Sequence, residues 1–156
     1  VIAFVDTSIL VKLLFDEAGS ADAVHRLRGR EIAVSALSWA EAHAAFARRR
    51  REGTLTATDH AQAVARFAEL WNAAIEVALD HAVQDRIPAL IDRYPLRGAD
   101  AAQLASALVL HDAGVSVEFA TADPRLSWAA EAERLVVWGA DVSRSSAPPP
   151  TPPQTG

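Results

Sequence analysis

The sequence predicts a three-layer α/β/α fold built on a central, mainly parallel sheet of four to five strands. Short apolar runs, mostly β-branched or aromatic and bounded by polar residues, recur along the chain as buried strands do. Longer segments with helical spacing separate them, and strands alternating with helices imply parallel pairing through right-handed crossovers. Such a sheet must be covered on both faces, which a hydrophobic content of 51% over 156 residues allows within one domain.

In chain order, "VIAFV" (1 to 5) is the first strand and 8 to 15 and 20 to 29 are the first helices. "IAV" (32 to 34) is the second strand, followed by helices over 38 to 52 and 57 to 72. "IEVAL" (75 to 79) is the third strand, then helices over 81 to 94 and 99 to 113. "VEFA" (117 to 120), a helix over 124 to 133 and "LVVW" (135 to 138) complete the pattern. Ser38 with Glu41 fits a capping box, Gly53 and Gly114 stand where helix C-caps belong, and Pro95 stops the helix before it. Pro88 falls inside the 81 to 94 segment and predicts a kink or a break. The folded domain is expected over 1 to 142. "SRSSAPPPTPPQTG" (143 to 156), with five prolines and almost no apolar content, is expected to be a disordered tail.

The chain has no cysteine, which removes disulfides and thiolate metal sites and makes the cytoplasm the expected compartment. The N-terminal apolar run lacks a preceding basic region and is broken by Asp6 and Lys12, so it does not read as a signal peptide. No segment reads as a membrane span. A formal charge of −5 argues against a polyanionic partner, yet all but one of the 15 basic residues are arginine, the better-shaped phosphate ligand.

In an open parallel sheet, ligands bind beyond the C-terminal ends of the strands. Asp6 ends the first strand and Asp123 follows the fourth, while Glu41 and Asp100 come in the opening turns of two helices, so the topology allows all four at one rim. Crowded carboxylates in a partly dry crevice repel each other unless a cation is present. Oxygen-only ligands suit Mg²⁺ or Mn²⁺, and such ions serve phosphodiester chemistry.

"FVDTSIL", "SALSWAEAHAAFARRR", "RGADAAQLASALV" and "FATADPRL", in this order, closely resemble the PIN-domain nucleases, in particular the VapC-type toxins of bacterial toxin–antitoxin pairs. The resemblance covers residues 1 to about 140. It implies a PIN-like fold and a Mg²⁺- or Mn²⁺-dependent endoribonuclease, in which a metal-activated water leaves a 5′-phosphate and a 3′-hydroxyl. It places the acidic site on Asp6, Glu41, Asp100 and Asp123, with Asp6, Asp100 and Asp123 as metal ligands and Glu41 binding a second ion or orienting the water. Ser8 and Thr121 match the family's hydroxyl positions beside these acids. A cognate antitoxin covering the pocket and a homodimer are implied as well, alongside an RNA substrate. No membrane or nucleotide cofactor is implied.

Each acid also has a structural reading. Asp6 and Asp123 can cap the helices after them, Asp123 with Pro124 at the first helical position. Glu41 can complete the capping box, and Asp100 can serve a helix dipole. "RRRR" (48 to 51) reads first as a solvated helix end favoured by the dipole, and alternatively as a grip on RNA phosphates. The histidines show no metal-ligand spacing, and the tryptophans read as core, with base stacking a second reading for Trp39. A dinucleotide site lacks its glycine-rich turn after the first strand. A haloacid-dehalogenase-like site lacks an aspartate where Ser8 stands, and a receiver built on Asp80 lacks its late lysine. Two alternatives stay open: a PIN-fold RNA-binding or interaction module without catalysis, and an RNA-processing nuclease without an antitoxin.

Overall fold

The computed structural model describes residues 1–139; the Pro-rich segment at 143 to 156 lies outside the described residues. A five-stranded, all-parallel sheet runs in the order β3-β2-β1-β4-β5, with β1 (Ile2–Val5) at its centre. β2 (Ile32–Ser35) and β3 (Ile75–Val77) extend it on one side, and β4 (Val117–Ala120) and β5 (Val136–Trp138) on the other. β1, the central strand, is apolar at every position, as a strand covered on both faces should be.

Alternation along β1 sends its side chains into two cores. Phe4 enters a cluster with Phe119, Leu104, Leu126, Val83 and Leu90, carried by α5 (His81–Gln84), α6 (Ile87–Arg93), α7 (Gly98–Asp112) and α8 (Pro124–Ala132). Ala3 and Val5 face Ile9, Leu14, Leu27, Phe46 and Phe67, carried by α1 (Thr7–Leu14), α2 (Ser20–Leu27), α3 (Leu37–Arg51) and α4 (Ala57–Ala73). Phe4 and Phe119 are register partners across β1 and β4, and their rings stack at 5.6 Å. The expected three layers are present.

Gly53 and Gly114 take left-handed conformations just after α3 and α7, as their C-cap positions require. Pro88 breaks the predicted 81 to 94 helix into α5 and α6 and stands in the first turn of α6, where its missing N–H leaves no bond unmade. The capping box expected at Ser38 and Glu41 does not form. β2 passes into α3 through Ala36, so Ser38 falls inside the first turn, fully buried, with its hydroxyl turned toward α7. None of the four tryptophans is fully buried: Trp71, Trp128 and Trp138 pack against the two cores, and Trp39 is 43% exposed while packed on Trp71, Phe67 and His43.

Gly139 closes β5 against the centre of the molecule. Its φ is +104°, and a Cβ there would lie 2.8 Å from the Thr121 carbonyl oxygen and 2.9 Å from Ile9 Cδ1. The nearer obstacle is backbone and cannot swing aside, so Gly139→Ala is expected to lower stability by about 2 kcal/mol or more in urea unfolding.

Candidate active site

The strand order reverses between β1 and β4, and the crevice beyond their C-terminal ends is the switch point at which such sheets bind ligands. Asp6 follows β1 directly and is 4% exposed. Its Oδ1 accepts hydrogen bonds from Ser8 Oγ at 2.6 Å and from the Ile9 backbone N–H at 3.2 Å, and its Oδ2 accepts one from Thr121 Oγ1 at 2.7 Å. Asp6 is thus the N-cap of α1 as well as a crevice carboxylate. Burial pushes its pKa from 3.8 up to about 6, even though these hydrogen bonds favour the ionised form.

Thr121 ties Asp6 to Asp123. While its hydroxyl donates to Asp6, the same oxygen accepts the Asp123 backbone N–H at 3.0 Å. The Asp123 side chain caps α8 through the backbone N–H of Arg125, at 2.7 Å. Ser8 makes a parallel link, accepting the Ala122 backbone N–H at 2.8 Å. The loops after β1 and β4 are therefore fastened together by two hydroxyls.

Asp100, half-buried in the first turn of α7, accepts the Arg97 backbone N–H at 3.3 Å. Desolvation raises its pKa, and the charges of Asp123 and Glu41 push the same way, against the Arg97 N–H and guanidinium. Asp100 thus lies near enough to Asp123 and Glu41 to feel the charge of both. The two loop links place Asp6 beside Asp123.

Glu41 is held by residues that sequence reasoning did not single out. Thr7 Oγ1 donates to Glu41 Oε2 at 2.6 Å. Nε2 of Gln103, a 3% exposed side chain, lies 2.8 Å from the same oxygen, 2.9 Å from Ser38 Oγ and 3.0 Å from Thr7 Oγ1. Its Oε1 is buried without a partner. A signal for Gln103 does exist: Asp100, Gln103 and Ser106 form a polar stripe at i, i+3, i+6 in an otherwise apolar helix. Thr7→Val is isosteric and removes the shortest hydrogen bond to Glu41. It is expected to lower any turnover at this site by about 10- to 100-fold, as outer-shell partners of metal sites do, with little change in melting temperature.

Among the described residues, no three carboxylate or imidazole groups converge closely enough to hold an ion as they stand. The donor set nevertheless fits a hard divalent cation: all its ligating atoms are oxygen, and two of its carboxyls are held above their ordinary range, chiefly by burial. Mg²⁺ in particular binds through one or two carboxylates, with water and substrate phosphate completing its shell.

Fold and site together define a class: an all-parallel α/β protein with an oxygen-only acidic crevice at its switch point. The model of the PIN domain matches residues 3–132, and the chain belongs to the PIN-domain family. It is similar to Ribonuclease VapC45 and Ribonuclease VapC49 of two Mycobacterium tuberculosis strains, CDC 1551 / Oshkosh and ATCC 25618 / H37Rv. Each is 37% identical over 132 residues, covering 84% of this chain and 90% of the relative. The fold resembles that of VapBC2 from Rickettsia felis, solved bound to a promoter DNA fragment, with a TM-score of 0.63 and 11% identity over 90% of this chain and 100% of that one. It also resembles Mycobacterium tuberculosis VapC20, a sarcin-ricin loop cleaving toxin, with a TM-score of 0.61 and 19% identity over 81% and 94% of the two chains. No helix among the described residues is long and apolar enough to cross a membrane.

Proposed function

We propose that this chain is a Mg²⁺- or Mn²⁺-dependent endoribonuclease and the toxin of a toxin–antitoxin pair, acting in the cytoplasm as a homodimer until an antitoxin covers its site. What supports this reading is the buried Asp6 carboxyl at the switch point, tied through Thr121 to Asp123, in a chain 37% identical to two proteins named as ribonucleases. Asp6, Asp100 and Asp123 would hold the ion. When bound, a divalent ion lowers the pKa of its water and neutralises charge on the phosphate. The chain's own residues prepare that chemistry. Thr121 fixes Asp6 against Asp123, and Ser8 keeps one Asp6 oxygen oriented. Glu41, steadied by Thr7 and Gln103, orients the attacking water and takes up its proton.

The test compares wild type with Asp100→Asn on a mixed pool of structured RNAs, with Mg²⁺, with Mn²⁺ and with chelator, and reads the product ends by sequencing. Metal-dependent cuts carrying 5′-phosphates, absent from the variant, are expected. A folded, antitoxin-free wild type that binds RNA without cutting it would overturn the reading in favour of a non-catalytic PIN module.

A further inference from the structure

We propose that the groove between α1 and α3 seats the sugar–phosphate backbone of a single RNA strand leading away from the acidic rim, with Arg48 and Arg51 as its phosphate contacts. The proposal rests on the nuclease reading and gives its substrate a path. The groove has a volume of about 590 Å³ and begins at Thr7 and Glu41, the same side chains that form one end of the acidic rim. Ala44 and Ala45 on α3 also line it, and Arg48 and Arg51 stand at its far end. Along α3, Arg48 lies about 10 Å and Arg51 about 15 Å beyond Glu41 at the rise of an α-helix. The small alanine side chains let a ribose–phosphate chain approach closely, and a cleft of this volume takes a short piece of one strand rather than a duplex.

The charges in the groove are sorted. Arg49 is paired with Glu17 at 2.8 Å and lies over the Phe15 ring at 4.3 Å, while Lys12 is 3.6 Å from the same glutamate. Glu17 thus neutralises two of the cations that line the groove. Arg48 and Arg51 are exposed and make no ion pair among the described residues. Arg50, exposed on the same run, is not part of the groove lining. A helix dipole favours all four arginines of the last turn alike and does not account for this division. An acid rim repels RNA, so a strand drawn to it needs cations near by that are not already spent on carboxylates; Arg48 and Arg51 supply them.

The experiment measures binding of a fluorescein-labelled single-stranded oligoribonucleotide by anisotropy across a salt series, with chelator present to prevent cleavage. Each phosphate contact contributes about −0.7 to the slope of log K against log salt for a single strand. The Arg48→Gln/Arg51→Gln double variant should therefore lose about 1.4 of the wild-type slope. Arg50→Gln should leave the slope unchanged, and Glu17→Gln, which frees Lys12 and Arg49, should steepen it. An unchanged slope in the double variant, or an equal loss in Arg50→Gln, overturns the proposal. So does a double variant that keeps its RNA slope and loses its antitoxin, since the groove would then seat a protein. A wild type that cleaves RNA while the double variant keeps its slope removes the groove and spares the nuclease. A wild type that never cleaves, yet shows the expected slope losses, does the reverse.

Discussion

Asp6→Asn is expected to make the metal-free protein more stable at pH 7 and to lower its activity sharply. Holding a carboxyl that ordinarily ionises at 3.8 up to about 6 means that the folded state resists its charge. A rise of that size corresponds to about 3 kcal/mol carried by the ionised folded protein. Between pH 3.8 and 6 the folded state keeps a proton that the unfolded chain has lost, so wild-type stability falls as pH rises through that window and levels off above it. Below 3.8 both states are protonated and the penalty vanishes. Asparagine removes the charge while its carbonyl oxygen still accepts from Ser8 and Ile9. A gain of about 5–10 °C in melting temperature at pH 7 is expected, shrinking toward zero at pH 4. The same change should lower cleavage by about 10³-fold, the worth of several kcal/mol of charge stabilisation at the reacting phosphate. Calorimetry at the two pH values with chelator, beside a cleavage assay, checks both. A variant less stable than wild type at pH 7 would show that the hydrogen bonds of Asp6 outweigh its desolvation.

This opposition explains why so much of the site was legible in the sequence. A carboxylate interrupting an apolar strand end is locally unfavourable, and the conflict is visible without coordinates: "VIAFVD" commits to burial and then places a charge there. Asp123 and Asp100 were legible for a related reason, because strand ends and helix starts are fixed by periodicity and caps. Each of the three also caps or opens a helix, so the structural and chemical readings of one residue coexist.

Glu41 shows where sequence reasoning stops. Its spacing from Ser38 has the form of a capping box, but the register of α3 depends on how tightly β2 turns into it. One tight turn carried Ser38 inside the helix and freed Glu41 to meet Thr7 and Gln103. Gln103 lies 62 residues from Glu41 and 96 from Thr7. Only the packing of α7 against β2 and α3 brings them together, and no local pattern encodes that distance. The arginine run was ambiguous in the same way, since which arginine an acid claims depends on where Glu17 sits after α1.

The second large effect is the pH dependence of stabilisation by metal. A ligand that binds only the folded state stabilises it by about 2.7 kcal/mol when present at 100 times its dissociation constant. Carboxylates bind a cation only when ionised, so metal and proton compete. With Asp6 held to about 6 and Asp100 also raised, that competition is lost by the metal in mildly acidic solution, where ordinary carboxylates would already be free. Saturating Mn²⁺ is therefore expected to raise the melting temperature clearly at pH 7.5 and only slightly at pH 5, with the change centred near pH 6. Binding measured at pH 6 in buffers of different ionisation enthalpy should report proton release. Asp6→Asn should lose both the thermal shift and the proton. An equal shift at pH 5 and 7.5, or a shift that survives in Asp6→Asn, would place the ion away from the switch point. The site is thus expected to be least stable where it is most reactive. Above pH 6 the metal-free fold bears the cost of a buried charge on Asp6, and a cation bound at the switch point would relieve it.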